Sequence, residues 1–125
     1  MKQKAYNVIA ILFGLLLMNG GLNKFFNYVP VPEGLPEALV KDNLALIEIE
    51  WLMPLIGFAE VLGGLLIFFP KTRALGALVV FPVMVGILLT HIFVAPEGLV
   101  IALIIWAILL WIIFENRSKY LNLLK

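Results

Sequence analysis

The stretch Trp51–Phe69, WLMPLIGFAEVLGGLLIFF, decides the fold. Its apolar residues run on without the alternation of a membrane strand, so the segment reads as a helix immersed in hydrocarbon. A single ionisable residue, Glu60, interrupts it nine positions from either end. At about 1.5 Å per residue this carboxyl lies roughly 13 Å from each boundary, near the midplane of a bilayer. Gly57 and Gly64 stand three and four positions from Glu60, with Gly63 alongside, and such a small-residue stripe lets helices approach closely. Glu60 is therefore expected to face protein and not lipid.

Three further apolar runs flank this one: Tyr6 to Lys24, Ala74 to Val94 and Gly98 to Phe114. Each is near the ~20 residues that a helix needs to cross ~30 Å of hydrocarbon. Of the 125 residues 63% are hydrophobic and 14% charged, whereas a soluble domain is roughly half apolar and a quarter charged. The excess apolar surface has no aqueous core to fill, which leaves a single membrane domain. The expected architecture is all-α, a four-transmembrane-helix bundle with spans at about 6–24, 51–69, 74–94 and 98–114. Lys2 and Lys4 precede the first run as in a signal peptide, but no small-x-small site follows it, so it is expected to stay as a span.

Charge sets the expected orientation. Lys2, Lys4, Lys71, Arg73, Arg117, Lys119 and Lys125 fall at one end of such a bundle, and only Lys24 and Lys41 at the other. By the positive-inside bias both termini are then cytoplasmic and the 25–50 loop is non-cytoplasmic. Aromatic anchors agree in part, with Tyr6, Trp111 and Tyr120 near the inner boundary and Tyr28 and Trp51 near the outer one, while Trp106 lies deeper and reads as packing. The loop is acidic, with Glu33, Glu37, Asp42, Glu48 and Glu50. Pro36 suits the first turn of a short helix through Ile47 that presents Leu39, Leu46 and Ile47 to the interface; it is either a solvated connector or a lid over the bundle mouth. A bacterial or archaeal cytoplasmic membrane fits this pattern. The scattered basic residues and net charge of +1 exclude a nucleic-acid-binding stripe. Zero cysteines exclude disulfides and thiol relays.

Ionisable side chains inside a span are costly and mark function by default. Besides Glu60, the candidates are Lys24, Asn19 and Asn23 at the outer end of the first run and His91 near the outer end of the third. Asn19 and Asn23 are four apart, as are Gly20 and Lys24, which gives that helix end a polar, glycine-lined side. Pro82 removes the bond to the Leu78 carbonyl and is expected to kink the third helix. A straight-helix estimate puts Glu60 deeper than Asn19 by about 7 Å and deeper than His91 by about 12 Å, so a water, a ligand or a kink must bridge the gap. The bland readings stand beside these: Glu60 as a hydrogen-bonded acid that fixes packing, His91 wetted by headgroups, Lys24 snorkelling to the boundary, the asparagines joining helices. Met18 and Met84 read as gap fillers, and no residue set suggests a metal site.

The run from Gly14 to Phe26, ending Asn19, Gly20, Gly21, Leu22, Asn23, Lys24, Phe25, Phe26, resembles the first helix of the DoxX family. LIGFAEVLGGLLIFFPKTR, residues 55–73, resembles that family's glutamate, paired glycines and Thr-Arg turn, and His91 falls where the family often closes its third helix. The resemblance covers about residues 8 to 93. It implies a four-helix membrane protein with Lys24, Glu60, Arg73 and His91 as its polar positions; Lys71 and Arg73 lie in the turn that the charge bias makes cytoplasmic. The family takes its name from a subunit associated with archaeal quinone-linked sulfur oxidation; other members are linked to membrane redox complexes or, in animals, to receptor-channel assembly. Related four-helix proteins that exchange disulfides use cysteine pairs, which this chain lacks.

Two functions follow as expectations. One is an accessory subunit of a quinone-linked membrane oxidoreductase, with Glu60 and His91 beside a quinone or proton path. The other is a non-enzymatic module that binds a lipid-like ligand or helps a membrane protein assemble. Either implies contact with the bilayer and a homo- or hetero-oligomer. The residues name no cofactor: a quinone fits the first reading, one histidine gives no bis-histidine haem, and no flavin motif is present. A transporter ranks last, because four helices need partners to enclose a path and no inverted repeat is visible.

Overall fold

In a computed structural model the chain is all-helical among the described residues, which are 2–28, 30 and 33–124. The helices are α1 (Lys2–Phe26), α2 (Glu37–Glu48), α3 (Leu52–Phe68), α4 (Arg73–Phe93), α5 (Leu99–Glu115) and α6 (Arg117–Asn122), with a 3-10 turn at Pro96–Gly98 before α5. Lys125 of the expected basic set lies outside the described residues. Three helical segments are long and apolar enough to cross a membrane: α1, α4 and the 20 residues from Pro96 to Glu115. The fourth segment is α3, whose 17 residues rise only about 25 Å. It reaches a span's length only together with α2, from which it is bent by 95° at Ile49 to Trp51.

Packing is built on glycine. Gly14 of α1 meets Gly64 of α3, and Gly21 meets Gly57, so α1 and α3 run antiparallel with two backbone contacts seven residues apart on each helix. A methyl group at Gly14 would lie 2.6 Å from the Gly64 carbonyl oxygen, and one at Gly21 would lie 2.5 Å from that of Gly57. Gly63 faces the other way, against Gly76 and Val80 of α4. α3 is thus held between α1 and α4, and its two glycine sides replace the hydrophobic drive that lipid cannot supply. The core that results holds Phe13, Leu17, Ile67, Val80, Met84 and Leu109. The outer surface is apolar too, with Leu12, Phe58, Leu75, Val100 and Phe114 exposed. A protein whose exterior is this apolar requires lipid as its solvent.

Pro36 precedes α2 as its N-cap and does not occupy the first helical turn. α2 buries no residue fully, and its Leu39, Asn43 and Leu46, at helical spacing, form the half-buried side turned to the bundle. Glu37, Lys41, Asp42 and Glu48 are exposed. Val40, Leu44 and Ile47 are exposed as well, so beyond its inward side α2 presents both charged and apolar residues, as a helix lying along a membrane interface does.

Candidate functional site

Glu60 occupies the middle of α3, where it is 5% exposed. Its Oε1 lies 2.5 Å from the Lys24 ammonium of α1, and beyond that ion pair this buried oxygen accepts no directed hydrogen bond among the described residues. Its Oε2 rests against Gly20, where a methyl group would sit 2.8 Å away. Gly20 and Lys24 are one helical turn apart, so one supplies room for the carboxylate and the other its counter-charge. Lys24 also falls in the last turn of α1, where a cation complements the helix dipole. Of the two readings of Lys24, snorkelling to the boundary or standing beside the acid, the geometry has the second. Depth counted along straight helices omits the length of the lysine side chain, which here turns inward to the acid.

The pair lines a cavity of about 580 Å³ between α3 and α4, roofed in part by α2. Leu55, Ile56, Val79, Pro82, Val83 and Ile87 give it apolar walls. Pro82 sits inside α4, where it cannot donate to the preceding turn. Gly86 leaves its side of the wall open, since nothing lies within 4 Å of the place its side chain would take. His91 also lines this cavity; its Nδ1 pairs with the Ile87 carbonyl at 2.8 Å, and its ring rests on Gly98 at the entry to α5. Lys24, Glu60 and His91 are thus brought to one space without a bridging group between the first two.

The asparagines divide. Asn19 is exposed and accepts a hydrogen bond from Tyr28, so it ties the chain after α1 back onto the helix and does not line this cavity. Asn23 lines a neighbouring cavity of about 600 Å³ with Asn27, Val40, Leu44 and Ile47. Lys24, Asn43 and Met53 line both cavities. Among the described residues no three His, Asp or Glu side chains converge as a metal site needs.

Arg73 serves the opposite end of the bundle. Lys71 is exposed in the turn, but Arg73 is 2% exposed and opens α4. Its Nε donates to the Ile67 carbonyl at 2.7 Å, and one terminal nitrogen donates to the Phe68 carbonyl and to Asn7 Oδ1 at 3.2 and 3.1 Å. The guanidinium also lies over the Tyr6 ring, 5.2 Å from its centroid. Thr72 donates to the Leu66 carbonyl at 2.7 Å, so the Thr-Arg turn satisfies the open carbonyls at the end of α3. Asn116 bonds the Tyr6 hydroxyl, and the Tyr120 hydroxyl bonds the Ala74 carbonyl. Lys2, Lys4, Lys71, Arg117 and Lys119 are exposed on the segments that these contacts gather.

Several of these residues escape a reading of the sequence. Asn43 sits in a short loop helix whose inward face shows only once α2 is placed over the bundle. Asn7 lies in the second turn of α1 and Asn116 caps α5, and their side-chain partners Arg73 and Tyr6 are more than sixty residues away. Gly20 carries a usable signal, one turn before Lys24, but the acid that needs its missing side chain is on another helix.

Trp106, expected as a packing residue, packs edge-on against Phe81 and also donates its indole N–H to the Met84 carbonyl at 2.9 Å. No curated protein and no solved structure matches the chain. A DoxX family model matches residues 8–92, which takes in α1 to α4 from Val8 to Ile92 and includes Lys24, Glu60, Arg73 and His91. With its glycine-packed apolar helices and buried acid, the chain is an integral membrane protein that belongs to the DoxX family.

Proposed function

We propose that this chain is a ligand-holding accessory subunit of a quinone-linked membrane oxidoreductase, with its site beside Glu60. The observation that carries the reading is a buried carboxylate with one ionic partner, set in a mostly apolar cavity. An apolar slot with a few polar groups is the usual form of a small-molecule site, and about 580 Å³ falls within the common range of roughly 300–1,000 Å³. A quinone suits this donor set: its carbonyl oxygens accept hydrogen bonds, Lys24 carries three donors, and the walls take a hydrocarbon tail. When bound, a quinone supplies two-electron, two-proton redox chemistry. The chain's own part is to hold and orient the head group, exclude water with α2, and keep an acid and an imidazole within the cavity. Glu60 can hold a proton at a carboxylate oxygen, and His91 can hold one at Nε2.

The same reading has four crossings, with α3 as a short span between α1 and α4, both termini on the cytoplasmic side of a bacterial or archaeal membrane, and α2 along the opposite interface. The basic residues gathered near Arg73 support that orientation. The chain offers no electron carrier of its own among its residues, so a partner subunit supplies the redox centre. Glu60→Gln tests the assignment in the complex purified from native membranes. The expected result is retained partner, lost quinone in the organic extract and lost quinone-dependent activity. Retention of quinone and activity would return Glu60 to a packing role. Loss of the partner with quinone retained would favour the second reading, an assembly module, for which the exposed apolar face of α2 speaks.

A further inference from the structure

The cavity beside Glu60 and the one beside Asn23 share Lys24, Asn43 and Met53, and α2 lies over both. We propose that they form one bipartite site for a neutral amphiphile with an oxygen-bearing head, and that Asn43 of α2 is the residue that selects that head. This rests on the ligand-holding reading above and specifies what the ligand must be.

Charge makes the first part of the case. Apart from the His91 imidazole, Lys24 and Glu60 are the only ionisable side chains among the described residues that line either chamber, and they are paired. Their charges cancel, so an anionic or cationic head entering the site finds no counter-charge and must leave water uncompensated. A neutral head meets no such penalty.

The amides make the second part. The chamber beside Asn23 is walled by Asn23, Asn27 and Asn43 with Val40, Leu44 and Ile47, so neutral donors and acceptors stand there among apolar groups. The chamber beside Glu60 is walled mostly by Leu, Ile, Val and Pro. The head then belongs at the shared junction beside Lys24 and Asn43, between the amides on one side and Glu60 on the other, and the tail runs along the apolar walls of the Glu60 chamber. Asn43 stands at the same junction. It is the polar member of an inward face otherwise made of Leu39 and Leu46, and its side-chain amide makes no hydrogen bond among the described residues. A leucine there would complete an apolar interfacial helix; the amide instead presents a donor and an acceptor to whatever lies between the chambers.

Two probes with the same decyl tail test this: a decyl-substituted benzoquinone and decyl phosphate, titrated calorimetrically into protein in phosphatidylcholine nanodiscs, with circular dichroism as the check on folding. The wild type is expected to bind the benzoquinone, and decyl phosphate is expected not to compete. Asn43→Leu should weaken benzoquinone binding roughly tenfold, the loss of one hydrogen bond to a buried head. Leu44→Trp, which fills the amide-lined chamber, should weaken it by a similar factor, while Ala45→Leu on the exposed face should leave it unchanged. Stronger binding of decyl phosphate would overturn the charge argument. Wild-type affinity in both Asn43→Leu and Leu44→Trp would overturn the bipartite site and leave the Glu60 chamber alone as the ligand site. If folded wild type binds neither probe, the ligand-holding reading fails and this inference with it.

Discussion

Arg73 and Glu60 are the two charged side chains that the described residues bury, and their surroundings differ in kind. Arg73 is surrounded by acceptors: two carbonyls at the end of α3, the Asn7 amide oxygen and the face of Tyr6. Glu60 has Lys24 on one side, the backbone of Gly20 on another and open cavity beyond. A buried charge ringed by acceptors of its own chain holds helices in register, whereas one held by a single flexible ammonium beside a cavity has capacity to spare for a ligand. Burial in a membrane helix therefore marks a residue as costly, and its partners decide whether the cost serves folding or binding.

The largest effect is expected from breaking the closed end. Arg73→Met leaves the Ile67 and Phe68 carbonyls and Asn7 without their donor, and should lower stability in detergent by about 3 kcal/mol. Thermal melting would show the loss, and benzoquinone affinity of the protein that remains folded should change little. Equal damage to affinity would mean that the two ends are not independent.

Gly86→Leu sharpens the contrast from the other side. Because a Cβ at Gly86 would meet nothing within 4 Å and the cavity beyond it has room for the rest of the side chain, the substitution should leave stability unchanged or raise it by roughly 0.5–1 kcal/mol through helix propensity. It fills the cavity, however, and should reduce ligand affinity by at least about tenfold, or roughly 1.4 kcal/mol. Glycines are thus not interchangeable here: the same change at Gly64 drives atoms into the Gly14 carbonyl and Met18, and should abolish the folded bundle.

Glu60→Gln should cost less stability than Arg73→Met, about 1 kcal/mol or under, since the Lys24 side chain is already 27% exposed and can turn back to the boundary. Its effect should appear in ligand retention. A stability loss as large as that of Arg73→Met would make Glu60 a second packing charge.

How much of this was readable from residues alone follows the range of each interaction. Apolar runs and the glycines Gly57, Gly63 and Gly64 are local patterns, and they announce α3 as a closely packed helix, but not that Gly57 and Gly64 meet α1 while Gly63 meets α4. The pairing of Lys24 with Glu60 is not local. Counting rise along α1 and α3 places their backbones but not the reach of a lysine, so snorkelling and pairing look alike in the sequence. Arg73 reads as one more basic residue in a turn, because the carbonyls that need it become visible only when α3 is seen to end at Phe68. Asn43 is hidden in a loop whose helix buries no residue fully and gains a function only from what it covers.

The smallest prediction concerns the end where α6 packs. Burial raises the Tyr120 phenol above its ordinary value of about 10, and nearby Tyr6 adds to the shift. The folded state then holds this proton more tightly than the unfolded chain, so the contribution is complete below about pH 10 and is lost as pH rises through the raised value. The melting temperature should decline above pH 10 in the wild type and more shallowly in Tyr120→Phe. Identical slopes would show that the Tyr120 bond to Ala74 has no part in alkaline weakening.

The most direct test of the central claim is native mass spectrometry of the wild type and Gly86→Leu released from the same membranes. The wild type should carry a neutral amphiphile as a single stoichiometric adduct, and Gly86→Leu, equally folded, should have lost it. The same adduct on both proteins, or only a heterogeneous coat of bulk phospholipid on each, would contradict a ligand site beside Glu60.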